Sequence, residues 1–274
     1  MRTPRRGRSS SGALDISAET ENLDLYEGSA RYYDIWHEEY KDDIRFFLDL
    51  AERTGGPVLD CMSGTGRVLI PFAEAGYEVT GVDRSPAMLD VCATKVSFLS
   101  PQEEARVAIV QADIREMDLG RKFKLVFVPY ASFLHLLDTK DQEAALRRIR
   151  DHLDDDGLFS FVVFSPRLDR PEQLLRHRGT KLTPQGEVIS WFEAQTFDRK
   201  ARRTTVHYFI DISRQDRELR RVTACFTIRY MPYLEALELL GSCGLRVLET
   251  YGDWNFGPFT EESDMMVFVA ERSP

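Results

Sequence analysis

Apolar and polar positions along this 274-residue chain change rhythm several times. Residues 1–20 are rich in Arg, Ser and small or acidic residues with no period, which predicts a disordered tail. Residues 21–56 are strongly aromatic, and Ile44, Phe47, Leu48 and Ala51 recur at helical spacing ahead of a Gly55 stop; one or two helices are expected there. Between 57 and 166, short apolar runs alternate with helical patterns. The strands are PVLDCM, YEVTGVD, ARVAIVQAD, FKLVFVPY and LFSFVVFSP, and the helices run through RVLIPFAEAG, SPAMLDVCATKV and TKDQEAALRRIRDHL. Pro71 falls inside the first of these helices and should kink or delay it. Such βαβα order predicts an α/β fold with a mainly parallel sheet covered on both faces.

The rhythm breaks after Pro166. Residues 186–230 hold three strand-like stretches, EVISWFEAQTF, RTTVHYFIDIS and RRVTACFTIRY, parted by polar turns, and predict an antiparallel meander inserted across 167–230. A helix YLEALELLGSCG and strands LRVLETYGD and MMVFVAE, within 231–274, then complete the first sheet at seven strands.

Composition narrows the partners. A formal net charge of -9 argues against a polyanion, so no nucleic-acid partner is expected, although RKARR at 199–203 and RQDRELRR at 214–221 are locally basic. No apolar run reaches the ~20 residues that span a bilayer, and the twin arginine near the start has no apolar segment behind it. A cytoplasmic protein without a membrane partner is the expectation. Cys61, Cys92, Cys225 and Cys243 lack CxxC spacing and sit among apolar residues, which predicts buried thiols and no metal site.

The chemistry concentrates at DCMSGTG, residues 60–66. A dinucleotide fingerprint needs a third glycine where Leu69 stands, and a phosphate loop needs a lysine that the stretch lacks. What survives is a bare turn before a helix, suited to a carboxylate or another polar group. Asp83 closes the second strand, where a carboxylate accepts two hydrogen bonds from a ribose diol. Asp113 closes the third, placed to accept from an exocyclic adenine amine beside the Ile114 amide. These residues describe a nucleoside without phosphates.

The combination resembles the Rossmann-like class I methyltransferases that use S-adenosylmethionine as cofactor, in particular the small-molecule type that includes amino-sugar N,N-dimethyltransferases. DCMSGTG matches that family's (D/E)xGxGxG at Asp60, Gly64 and Gly66, with Met62 in place of the first glycine. The resemblance implies that Gly64 and Gly66 lie under the methionine part, Asp83 holds the ribose hydroxyls and Asp113 with Ile114 flanks adenine. It extends the cofactor-binding set to Asp60, Met62, Thr65, Arg67, Arg84, Met88, Pro129 and Tyr130. For Arg67 two readings stand, a pair with the methionine carboxylate or a solvated side chain.

The segment ARYYDIWHEEYKDD resembles the family's N-terminal YxxxAxxYD lid at Tyr26, Ala30, Tyr33 and Asp34, which implies a Tyr33 hydroxyl near the sulfonium. The run FVPYASFLHLL leaves the fourth strand at its carboxyl end and looks like the loop whose histidine faces the methyl acceptor. His135 is therefore the catalytic candidate with Tyr33, against a reading in which it only orients the loop. The other four histidines are read first as structural, His37 least securely. Tyr26, Trp36, Ser132, Trp191, Tyr208 and Arg229 are the substrate-binding candidates, the last three on a meander that by resemblance roofs the acceptor pocket or forms a homodimer contact. A base-methylating (N/D)PPY reading of FVPY fails because Phe127 stands where a polar group must hold the target nitrogen. The segment at 251–263 resembles a C-terminal hairpin with Trp254 in the core. N-methylation of a small metabolite is the leading expectation. O- or C-methylation, and a non-catalytic cofactor-binding partner, are the alternatives.

Overall fold

The computed structural model describes residues 28–37, 40–164, 173–184, 186–214 and 219–274. Tyr26 and the tail at 1–20 lie outside them. The chain opens with α1 (Ala30–His37) and α2 (Asp42–Thr54), continues through β1 (Val58–Cys61), α3 (Leu69–Glu74), β2 (Val79–Asp83), α4 (Pro86–Val96) and α5 (Pro101–Glu104), and then reaches β3 (Val107–Gln111) and β4 (Phe123–Val128). A 3-10 turn at Ser132–His135 leads to α6 (Thr139–His152) and β5 (Leu153–Phe164). Next come β6 (Gln173–Leu182), β7 (Glu187–Asp198), β8 (Arg203–Arg214) and β9 (Arg220–Arg229), followed by α7 (Tyr233–Ser242), β10 (Leu245–Tyr251) and β11 (Met265–Arg272).

Among the described residues these strands form two sheets. The first is seven-stranded in the order β10-β11-β5-β4-β1-β2-β3, and its first five strands in the chain run parallel. Strand β11 lies antiparallel to both β5 and β10. This is the expected Rossmann-like sheet. Its central strands β1 and β4 are buried almost throughout, because helices cover the sheet: α2 and α6 pack on β4 and β5, and α4 on β2 and β3. The strand order reverses between β1 and β4, so a crevice opens beyond their carboxyl ends.

Local rules account for the element ends. Ser85 caps α4 by accepting from the Met88 amide, with Pro86 at the first helical position. Pro71 is accommodated in the first turn of α3, where no intrahelical amide is required; the helix starts at Leu69, two residues later than the apolar pattern suggests. Strand β5 starts earlier than expected, at Leu153, and runs through the exposed acids Asp155 and Asp156 across a register shift opposite Phe123 and Leu125.

The second sheet, β6-β7-β8-β9, is antiparallel throughout. It has four strands where three were expected. Strand β6, QLLRHRGTKL, carries Arg176, His177 and Arg178 in succession and has no apolar alternation; it is recruited as an edge by pairing with β7. The sheet lies between β5 and α7 in the chain, and β9 contacts the 3-10 turn of the first sheet. One further expectation is corrected here. Cys61, Cys92 and Cys243 are buried, but Cys225 is exposed on β9, beside His207 across the strand pair. No helix of the described residues is long and apolar enough to cross a membrane.

Candidate active site

The carboxyl ends of β1, β2 and β3, the 3-10 turn and α1 converge on one cleft of about 720 Å3, part of it open to solvent. Its floor is the turn after β1. Gly64 (φ 56°) has open space where a side chain would project, so the backbone itself faces the cleft. Gly66 (φ 74°) is glycine for another reason: a Cβ there would sit 2.6 Å from the Cys92 sulfur. Met62, at the first glycine position of the family motif, also has positive φ (60°) and lines the cleft. The backbone shape is thus kept by a residue for which it is strained.

Asp83 ties this floor to β2. Its Oδ2 accepts from the Gly64 amide and its Oδ1 from the Ser85 amide, both at 2.9 Å, while burial outweighs these bonds and raises its pKa. Asp113 is different. Although burial acts to raise it, hydrogen bonds from the Arg115 side chain and amide hold its carboxyl below the usual range, with Arg84 4.0 Å away. Arg84, Met88, Ala112, Asp113 and Ile114, with Tyr33, Ser132, His135 and Leu136, complete the lining.

Ten of the sequence-predicted residues therefore meet in one place: Tyr33, Met62, Gly64, Asp83, Arg84, Met88, Asp113, Ile114, Ser132 and His135. The remainder are set around it. Thr65 is buried and its hydroxyl donates to Asp34 of α1 at 2.6 Å, while Asp34 also accepts from Lys95 of α4 at 2.9 Å. Arg67 is neither solvated nor directed at the cleft. Its guanidinium forks onto buried Asp43 and donates to the Tyr40 carbonyl, and it sits beside the paired Tyr40 and Tyr130 rings, 5.5 and 5.7 Å from their centres. Pro129 leads into Tyr130, which with Ala131 adopts a left-handed conformation that turns the chain toward Ser132. Arg229 reaches Glu235 and Gln142, joining β9 to α7 and α6 away from the cleft lining. Trp191 stacks over Gly179 of β6. Trp36 falls in α1.

Sequence reasoning missed three contributors. Asp43, in a stretch that reads as a solvated helix start, is fully buried as the counter-ion of Arg67. Ala112 and Leu136 carry no chemical signal beyond apolarity. His37 is structural, as first read, but it props the site: its Nδ1 bonds the Tyr33 carbonyl, its ring stacks on Tyr33 at 4.2 Å and meets the Tyr130 edge at 4.5 Å. Burial brings its pKa down to about 4. His135 is likewise lowered to about 4, first by burial and then by the nearby Arg84 charge, and its ring packs on Phe226 of β9 at 5.1 Å.

Two features bear on what this cleft holds. Asp60, at the carboxyl end of β1, is fully buried, and neither of its oxygens has a hydrogen-bond partner among the described residues; the same holds for the Ser63 hydroxyl. Burial pushes the Asp60 carboxyl well above its ordinary value. A buried acid left without donors suits a ligand that brings its own, such as the ammonium of an amino acid.

Comparison with known proteins agrees. Residues 58–157 match the family described as a methyltransferase domain. The Bacillus subtilis protein YqeM is 25% identical over 252 residues, covering 91% of this chain and 98% of YqeM. A Streptomyces fradiae dTDP-3-amino-3,6-dideoxy-alpha-D-glucopyranose N,N-dimethyltransferase is 31% identical over 149 residues, 52% of this chain and 54% of that enzyme. The chain thus spans about half of the latter's length. Among solved structures, the CcbJ methyltransferase of Streptomyces caelestis superposes with a TM-score of 0.77 over 92% of this chain and 99% of its own, at 24% identity, and shows the shared fold. Residues 58–157 therefore carry a methyltransferase domain, within a fold shared with CcbJ.

Proposed function

We propose that the chain transfers the methyl group of S-adenosylmethionine to an amine nitrogen of a small metabolite. The observation that carries this reading is the meeting of a bare glycine turn, the strand-end acids Asp83 and Asp113, and His135 with Tyr33 around one cleft. Asp60 and the Gly64–Gly66 turn would hold the methionine part, Asp83 the ribose hydroxyls, and Asp113 with Ile114 the adenine. When bound, the cofactor supplies a methyl carbon activated by its sulfonium, so the protein needs mainly to align a nucleophile and keep water away.

His135 suits that task. With its pKa near 4 it stays neutral at physiological pH, so a ring nitrogen can accept a hydrogen bond from the amine N–H and aim the nitrogen lone pair. Ser132, at the start of the same turn, offers a second polar contact, and the Tyr33 ring, braced by His37, offers a face to positive charge. The similarity to an amino-sugar N,N-dimethyltransferase supports nitrogen as the acceptor atom. Residues 57–166 with 231–274 would form the cofactor domain, 21–56 its lid, and 167–230 the acceptor roof.

The test is calorimetric titration with S-adenosylmethionine, followed by transfer of a radiolabelled methyl group to a panel of amines, amino sugars among them, each paired with the hydroxyl compound of the same skeleton. Label on the amines supports the reading. Label confined to the hydroxyl compounds, or cofactor binding without any transfer, refutes it.

A further inference from the structure

The inner face of the second sheet carries one buried carboxylate among its described residues, Glu193 of β7. Burying an acid in a strand costs free energy, and an alternating strand has a free choice of apolar residues for such a position. The surroundings are specific. Directly across the strand pair from Glu193 is Tyr208 of β8, and across from Tyr208 is Ala224 of β9. The Tyr208 ring lies 5.7 Å from Phe226, which in turn packs on His135. Glu193 therefore shares the sheet face that meets the 3-10 turn.

The charges of Glu193 and Arg178 also act on the Tyr130 phenol, two residues past β4. Glu193 itself accepts from Gln195 at 2.6 Å, and its other oxygen lies 3.5 Å from Arg178, whose side chain is 45% exposed. Such a pair with a solvent-facing arginine is weak and exchangeable. A buried carboxylate on a sheet face that also carries Tyr208 and Phe226, with only a loose partner on one oxygen, has the chemistry of a site for organic ammonium groups.

We propose that Glu193, with Tyr208 and Phe226, forms the acceptor subsite and recognises the positive charge of the methylated nitrogen. The inference rests on the methyl-transfer reading above and names its substrate class: amines that become ammonium ions on reaction. In the displacement the nitrogen lone pair forms the new N–C bond, the electrons of the C–S bond return to sulfur, and the positive charge passes from sulfur to nitrogen. A fixed carboxylate facing that nitrogen stabilises the charge where it develops. A neutral hydroxyl acceptor gains far less.

The test uses the protein loaded with S-adenosylhomocysteine and two probes of one shape, benzyltrimethylammonium and its uncharged isostere 2,2-dimethylpropylbenzene. Wild-type protein should bind the cation at least tenfold more tightly. Glu193→Gln should lose that preference while binding S-adenosylhomocysteine within twofold, and Glu193→Asp should retain most of it. Equal binding of the two probes by wild type, or a preference unchanged in Glu193→Gln, overturns the proposal. A cation preference in a protein that methylates no amine would instead refute the nitrogen reading and leave the cation site standing.

Discussion

The two sheets solve opposite problems. In the parallel sheet, β1 and β4 are buried along nearly their whole length, and the residues that face the cleft are strand ends and the turns after them. In the antiparallel sheet every strand alternates or is exposed, and the residues of interest sit mid-strand on one face. The first arrangement fixes backbone geometry, as Asp83 shows by holding the Gly64 and Ser85 amides at once. The second presents side chains that can be exchanged one at a time without disturbing their neighbours' pairing. The cleft is lined by strand ends of the first sheet, the 3-10 turn and α1, and the second sheet meets it through Phe226, which packs on His135. In these terms, changes on the parallel side should show in stability and cofactor affinity, and changes on the roof side in turnover and acceptor preference.

The largest expected effect lies on the parallel side. Asp43→Ala leaves the Arg67 guanidinium buried without its counter-ion, and a loss of about 3 to 5 kcal/mol in unfolding free energy is expected from urea denaturation. A loss below about 1 kcal/mol would mean that the pair does not anchor the floor. At the boundary, His135→Ala should lower kcat by about 100-fold with cofactor affinity unchanged within twofold, read by steady-state kinetics beside calorimetry. Equal losses in both would move His135 to the cofactor side of the comparison. Asp83→Ala should weaken S-adenosylmethionine binding by at least about 1.5 kcal/mol, roughly tenfold. Unchanged affinity would contradict the ribose assignment.

Acid supplies a finer probe. His37 and His135 are both held near 4 in the folded protein, against about 6.5 when unfolded, so the unfolded chain binds more protons between those values. Their contribution to stability is intact above pH 6.5 and declines as the pH falls toward 4. Thermal melts across pH 7 to 4 should show this, and His37→Phe should flatten the slope. The smallest effect is expected from Met62→Gly. Relief of a positive-φ strain of about 1 kcal/mol is offset by the lost contact of a partly buried side chain, so stability should shift by less than about 1 kcal/mol. A large loss of cofactor affinity in that variant would show that the thioether itself touches the ligand.

Much of the parallel sheet was legible because its strands are short apolar runs, two of them leading into Asp83 and Asp113, and burial on both faces leaves few alternatives for such a run. The cleft residues were legible for the same reason: strand ends converge by topology, so Asp83 and Asp113 could be placed together before any coordinates. Strand β6 was not legible, since Arg176, His177 and Arg178 carry no periodic signal and the strand exists through its pairing with β7. Long-range partners were hidden as well. Nothing near Asp43 in sequence announces Arg67, 24 residues on, and without that partner the acid reads as surface. Glu193 sits in an apolar stretch where an acid looks like an interruption, and its position acquires meaning only when Tyr208 and Phe226 are seen beside it.

Helix α1 belongs to neither sheet and touches both. Its Asp34 grips Thr65 in the glycine turn, while its Tyr32 packs with Ile189, Ile210 and Ile212 of the second sheet and accepts from Arg220. A short helix held from two sides acts as a gear: displacing the second sheet must either strip Tyr32 from its isoleucine socket or drag Asp34 off the glycine turn. Two ligands that shift these two contacts would therefore be coupled, each changing the other's affinity by the same factor.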